Sequence, residues 1–198
     1  MTAPRRVVLA TGNAGKQREF AALLAAREFE VVLQTALGVA PAEETGSTFE
    51  ANALIKARHA ARAAGLPALA DDSGLEVDAL GGRPGVWSAR YAGEGASDAA
   101  NNALLLQEMS NVPPGKRQAR YRCVIAWVAD ADDPAPLMAQ GTWEGSIAQM
   151  PVGSGGFGYD PLFIPEGLAV TAAQLTAADK NAVSHRGKAL ADLLRLLP

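Results

Sequence analysis

Asp71-Asp72-Ser73-Gly74 follows directly on the apolar Ala68-Leu69-Ala70. Read as a brief buried strand that stops at the two acids, this segment puts carboxylates at a strand's carboxyl end, where α/β sheets hold their ligands. Oxygen ligands suit Mg2+, which takes one or two carboxylates and completes its shell with substrate phosphate and water. Asp-Ser-Gly is also good turn chemistry, but two adjacent acids exceed what a turn needs. Glu43-Glu44 forms a second acidic pair, in a loop ahead of a helix. Such a pair is normally solvated and gains chemical meaning only where another carboxylate shares its space.

Cations stand where they could face these acids. Thr11-Gly12-Asn13-Ala14-Gly15-Lys16 lies between a strand and a helix. Its glycines let backbone N–H groups approach an anion, the helix N-terminus adds partial positive charge, and Lys16 supplies a full one. It is not a Walker loop, because Ala10 and Gln17 stand where that motif needs Gly and Ser or Thr. Asn52 and Lys56, spaced i and i+4, share one face of a helix, and Arg58 and Arg62 share another.

The last third holds an aromatic on a flexible loop, Phe157-Gly158-Tyr159-Asp160, able to stack on a base. Gly153, Gly155 and Gly158 match a dinucleotide fingerprint only formally, since Asp160-Pro161 follows where a helix should open. Lys180 precedes Ser184-His185-Arg186-Gly187-Lys188, with Ser184 in the position of an N-cap. His185 and Arg186 would then sit in the first turn of the last helix. Cations there oppose the helix dipole, so a ligand explains them better than local stability does. Phosphate-binding cations, a carboxylate metal site and an aromatic beside donors together describe a nucleoside triphosphate site without a P-loop.

Composition narrows the classes. The chain has 198 residues, 48% of them hydrophobic and 20% charged, enough for one good core or two small lobes. A net charge of −3 and the lack of a basic stripe exclude a nucleic-acid-binding surface, so an anionic ligand must be gripped by a few placed cations. One cysteine, Cys123, excludes an intramolecular disulfide framework and a Cys-based zinc cluster, and two histidines are too few for a His-rich metal site. The basic start, Met1 to Arg6, precedes an apolar run of only Val7 to Ala10, too short for a signal peptide or membrane span. A cytoplasmic enzyme is the expectation.

The elements that must position these residues follow from pattern. Strands are expected at 7–10, 31–34, 68–70 and 75–80, then at 120–128, where Tyr121, Cys123, Ile125 and Trp127 share a face, and at 137–143. Helices are expected over 16–27, with Phe20, Leu23 and Leu24 inward, from a Ser47–Glu50 capping box to Gly65, from Ser97 to Met109, and from Ser184 to Leu197. Residues 81–85 and 153–161 read as loops. Alternating elements early and clustered strands late predict a mixed-sheet α/β fold.

Nearly end to end, the chain resembles the inosine triphosphate pyrophosphatases, which clear deaminated purine nucleotides. The resemblance is carried by Thr11–Lys16, Glu43-Glu44-Thr45-Gly46, Asn52–Ala57, Asp71–Leu75, Gly155–Pro161 and Ser184–Gly187, and no functional position departs from the family pattern. It implies a single elongated α/β domain over 1–198: a mixed β-sheet flanked by helices, in two lobes with the active-site cleft between them, forming a homodimer. It implies hydrolysis of ITP, dITP and XTP to the monophosphate and pyrophosphate, with Mg2+. Thr11, Gly12, Asn13, Ala14, Gly15, Lys16 and Lys56 would hold the triphosphate. Asp72 would be the catalytic carboxylate, joined at the metal by Glu43 or Glu44. Ser73 would touch the substrate, while Phe157, Gly158, Tyr159, Asp160, Lys180, His185 and Arg186 would enclose the nucleoside. Rival readings are a pyrophosphatase for modified pyrimidine nucleotides and a nucleotide-binding regulator without catalysis.

Overall fold

The structure, a computed structural model, describes residues 5–24 and 29–197. It is an α/β fold with one mixed six-stranded sheet and flanking helices. In chain order the elements are β1 (Arg5–Leu9), α1 (Ala14–Leu24), β2 (Phe29–Leu33), α2 (Phe49–Ala64), β3 (Ala68–Val77), α3 (Asp98–Glu108), β4 (Gln118–Val128), β5 (Leu137–Ile147), β6 (Phe163–Pro165), α4 (Ala177–Val183) and α5 (His185–Leu196). The strand order is β2-β1-β3-β4-β5-β6. Strand β1 pairs in parallel with β2, Val7 opposite Val31, and with β3, Val8 opposite Ala68; β5 and β6 are antiparallel.

Two compact units divide the chain. The first comprises Met1–Asp72, Cys123–Gln140 and Ala189–Pro198; the second comprises Ser73–Arg122 and Gly141–Lys188. Each has its own core. In the first, Val7, Leu9, Phe20, Leu69, Cys123, Ile125, Leu190 and Leu193 pack together. Val8, Ala68 and Ala70 are also buried and point the other way, as alternation along a strand requires. Strands buried on both faces read as continuous apolar runs, which is why Val7–Ala10 was recognisable. Helix α2 contacts β1 and buries Phe49 and Asn52 at its start and four alanines, Ala53, Ala57, Ala60 and Ala61, after them. Arg58 and Arg62 of the same helix bind the 130–135 turn, through Asp133 O and Asp132 Oδ1. In the second unit, Leu75, Leu105, Met109, Tyr121, Trp143, Tyr159, Leu162 and Phe163 form the core.

Several expectations shift. Strand β3 runs unbroken for 10 residues, so Asp71 and Asp72 lie in mid-strand and not at a strand end before a turn. Residues 78–80, expected to extend a strand, form a 3-10 turn, and so do Gln34–Leu37. Strand β6 and helix α4 are too short to show a period and were not anticipated. Positions 25–27 of the expected first helix, and the side chain of Leu23, lie outside the described residues, as do Met1–Pro4 of the basic start. Helix α2 opens one residue later than its sequence signature suggests: Thr48, not Ser47, is the N-cap, its Oγ1 accepting from Ala51 N at 3.1 Å. Gly65 closes that helix in the left-handed conformation, φ 64°. No helix among the described residues is long and apolar enough to cross a membrane.

The cap position has a measurable consequence. Thr48→Ala should lower unfolding free energy by about 1 kcal/mol, whereas Ser47→Ala should stay within about 0.5 kcal/mol of the parent. Urea unfolding of the two variants checks this; the reverse order would return the cap to Ser47.

Candidate active site

In the first unit, β3 and α2 converge on one charged cluster. Asp72 is 5% exposed and Asp71 1%. Charges taken out of water need partners, and each acid has a lysine: Lys16 Nζ lies 2.9 Å from Asp71 Oδ2, and Lys56 Nζ 3.0 Å from Asp72 Oδ1. Lys56 Nζ also reaches Glu44 Oε1 at 2.7 Å. Asn52, one turn before Lys56, donates to Asp72 Oδ2 at 3.2 Å while its Oδ1 accepts from Gly46 N at 2.8 Å. It therefore ties the loop that carries Glu44 to the strand that carries Asp72. A Cβ on Gly46 would fall 2.6 Å from Asn52 Oδ1, so only glycine fits that approach. Glu43 is exposed; of the two loop acids, Glu44 is the one in the cluster.

The strand-to-helix segment stands at the same acids through Lys16. Asn13 Oδ1 accepts from Lys16 N at 3.0 Å, the geometry of a helix N-cap, and Thr11 Oγ1 accepts from Asn13 N at 3.2 Å. These two side chains shape the turn itself, and Lys16 carries its charge to Asp71.

Three carboxylates, Glu44, Asp71 and Asp72, thus meet two ammonium groups. The excess is negative, and it shows in the titration of Lys56, whereas burial dominates that of Asp72. Burial pushes the Asp72 carboxyl above its ordinary value; Lys56 and Lys16 pull it down, and Glu44 adds to the rise. Burial works to lower the Lys56 pKa, but Asp72, Asp71 and Glu44 outweigh it and hold the ammonium above its ordinary value. Among the described residues no three acidic, His or Cys side chains form a cage that could hold a metal ion alone. Asp72 and Glu44, already brought around one ammonium, match the one or two carboxylates that Mg2+ needs when phosphate and water fill its shell.

In the second unit, Ser73, the loop at 156–160, α4 and the start of α5 form another polar group. Arg186 is 1% exposed, and its Nη2 donates to Ser73 Oγ at 2.9 Å. The Phe157 ring has Lys180 Nζ 4.8 Å and the Arg186 guanidinium 5.8 Å from its centroid, both in cation–π range. Asp160 Oδ2 accepts from Lys180 Nζ at 2.6 Å and from Phe157 N at 2.9 Å. Gly156, at φ 72°, leaves the space that this carboxylate fills. His185 stacks on Tyr121 at 4.7 Å and 8°. Ser184 Oγ accepts from Gly187 N at 3.2 Å, as an N-cap of α5 does.

The structure gathers Lys16, Glu44, Lys56 and Asp72 in one unit, and Ser73, Phe157, Asp160, Lys180 and Arg186 in the other. Two expected nucleoside contacts have other duties. Tyr159 is 3% exposed, sits in the core and donates through its hydroxyl to Ser88 O at 2.8 Å. The loop around Gly158, expected to be flexible, is held at both sides by α3: Asp98 Oδ2 accepts from Gly158 N, and Asn102 Nδ2 donates to Gly158 O. Burial of His185 against Tyr121 also supplies a packing reason for that residue. Sequence reasoning missed Asp71 as the partner of Lys16, and it noted Asn52 only as a neighbour of Lys56 on one helix face.

A mixed sheet that buries carboxylates against lysines beside a helix N-terminus places the chain among α/β proteins with a charged site at the sheet, and a helix N-terminus suits an anion. Residues 7–196 match the model of the Ham1 family, and the chain belongs to that family. It is 56% identical over 193 residues to a dITP/XTP pyrophosphatase of Shigella flexneri, and 58% identical over 194 residues to one of Photorhabdus laumondii, with 98% of each chain covered in both cases. Among solved structures, a HAM1 protein from Coxiella burnetii superposes with a TM-score of 0.89 at 48% identity, covering 97% of this chain and 98% of that one. A nucleoside-triphosphatase / dITP/XTP pyrophosphatase from Mycobacterium abscessus gives 0.75 at 46% identity, covering 96% and 98%.

The bridging role of Asn52 is testable without substrate. Asn52→Leu strands the Gly46 N–H and one Asp72 oxygen, and should cost about 1–3 kcal/mol of stability. An unchanged urea midpoint would mean that neither hydrogen bond matters.

Proposed function

We propose that this chain hydrolyses non-standard purine nucleoside triphosphates (ITP, dITP and XTP) to the monophosphate and pyrophosphate, and so removes deaminated purines from the nucleotide pool. The observation that carries the reading is the buried cluster in which Lys56 stands between Asp72 and Glu44. The names of the relatives, dITP/XTP pyrophosphatase, support it. A net-negative cluster repels a triphosphate unless a cation joins it. Asp72 and Glu44 would hold Mg2+, which when bound neutralises phosphate oxygens. The Thr11–Lys16 turn and Lys56 grip the triphosphate and hold it in line for attack. Asp72 accepts the proton of the attacking water. The bond between the α phosphate and the β phosphate breaks.

The nucleoside is assigned to Ser73, Phe157, Asp160, Lys180, His185 and Arg186, with Tyr159 held in the core and Gly158 held by α3. Phe157 offers a stacking face, and Lys180 and Arg186 lie beside it as donors. Donors aimed at a 6-oxo oxygen accept hypoxanthine and xanthine, while adenine presents an amino donor there and leaves both sides unpartnered. We further read residues 1–198 as one functional domain acting as a cytoplasmic homodimer, with no nucleic-acid or membrane partner.

Incubation of ITP with enzyme and Mg2+ should yield IMP and pyrophosphate, and chelation should stop turnover until Mg2+ is restored. IDP with orthophosphate would place the cleavage at the wrong bond. Turnover unaffected by chelation would remove the metal.

Base choice gives a separate test. ITP should exceed ATP in kcat/KM by at least about 10²-fold, the scale reached when buried polar groups lose their partners. Arg186→Ala should cost more with ITP than with ATP and narrow that ratio. An equal loss for both would move Arg186 from the base to the phosphate or ribose.

A further inference from the structure

Helix α3 holds the Phe157 loop at both peptide groups of one residue. Asp98 and Asn102 stand four residues apart on one face of α3. Asp98 Oδ2 accepts from Gly158 N at 2.7 Å, and Asn102 Nδ2 donates to Gly158 O at 3.0 Å. One residue's N–H and C=O are thus gripped from a single helix face. Gly158 has φ 61°, the left-handed region that favours glycine, so the clamp fixes a turn and not an extended strand. The bond to Asp98 is charge-assisted and therefore strong for its kind. Asn102 is a poor choice for stability: Oδ1 is buried without a hydrogen-bond partner, which is unfavourable. The hydrogen bond its side chain does make is the one to Gly158 O.

From the other side, Asp160 Oδ2 accepts from Phe157 N and from Lys180 Nζ. The Phe157 peptide is therefore fixed at its own nitrogen by Asp160 and at the following residue by α3. The ring that results is 4.8 Å from Lys180 Nζ. We infer that Asp98 and Asn102 are positioning residues that set the shelf on which the purine stacks, and so contribute to base selection without touching the nucleotide. The inference rests on the nucleoside assignment above.

Steady-state kinetics on ITP and ATP with Asp98→Ala and Asn102→Leu tests it. A loosened shelf should raise KM for ITP roughly tenfold, part of what base stacking is worth, with kcat within about twofold and a smaller ITP to ATP ratio. Asp98→Asn keeps an acceptor oxygen and should recover most of the parent KM. Hydrogen exchange at the Gly158 amide should quicken in Asp98→Ala and stay slow in Asp98→Asn, a readout that needs no nucleotide. Parent-like KM in both variants, while the parent enzyme releases pyrophosphate from ITP, would overturn the clamp and leave the proposed activity standing. A fall in kcat and thermal stability with KM unchanged would make the contact merely structural and also overturn it. Parent enzyme inert on every purine triphosphate, with exchange responding as expected, would instead overturn the nucleotide reading on which the inference depends.

Discussion

The ion pair between Lys56 and Asp72 is the constraint around which the first unit is arranged. A carboxylate in the middle of a buried strand is untenable unless a cation and a hydrogen-bond donor reach it. Helix α2 supplies both from one face, Lys56 to one oxygen and Asn52 to the other. That requirement fixes how α2 lies on the sheet, and its row of buried alanines gives it the close approach. Asn52 then extends the same constraint to the Glu44 loop through Gly46. Lys16 performs for Asp71 what Lys56 performs for Asp72. Replacing these ions by apolar side chains would be neutral or stabilising in many proteins, so stability alone does not account for five of them together.

The second unit repeats the device with different parts. Asp160 is buried and ion-paired to Lys180, and the same carboxylate oxygen holds the Phe157 backbone. A charged pair here acts as a brace for an aromatic ring. Arg186 is enclosed by Ser73 and Phe157 at the start of α5, where the helix dipole disfavours a cation. Preorganised donors of this kind need no rearrangement when a polar ligand arrives, which is the physical basis for selectivity by hydrogen bonding.

Much of this was legible in residue order, for reasons that differ by element. The continuous apolar run of β1 survives folding because burial enforces it, whereas the period of two in β4 survives only over 118–122, since 123–126 are buried on both faces. Ser97 and Gly65 bound their helices as their cap chemistry predicts. Asp71–Gly74 misled because Asp-Asp-Ser-Gly has the composition of a turn; pairing within the sheet and two lysines distant in sequence overrode local preference. Lys180 was singled out by position, but its helix, α4, spans only Ala177–Val183 and shows no usable period. The choice of Glu44 over Glu43 depends on which carboxylate meets Lys56, a fact of tertiary geometry. Of the two aromatics in the 157–160 loop Tyr159 lies in the core, and sequence does not distinguish a core tyrosine from a ligand-facing one.

The central claim is that Lys56 and Asp72 act as one unit on the triphosphate. A double-mutant cycle with Asp72→Asn, Lys56→Met and the double variant, read as kcat/KM on ITP with Mg2+, tests it most directly. Groups that work as a unit lose their function together. The double variant should be no worse than the more damaged single variant, with a coupling energy above about 1 kcal/mol. Losses that simply add, leaving no coupling, would show that the two residues serve the reaction independently and would contradict the account.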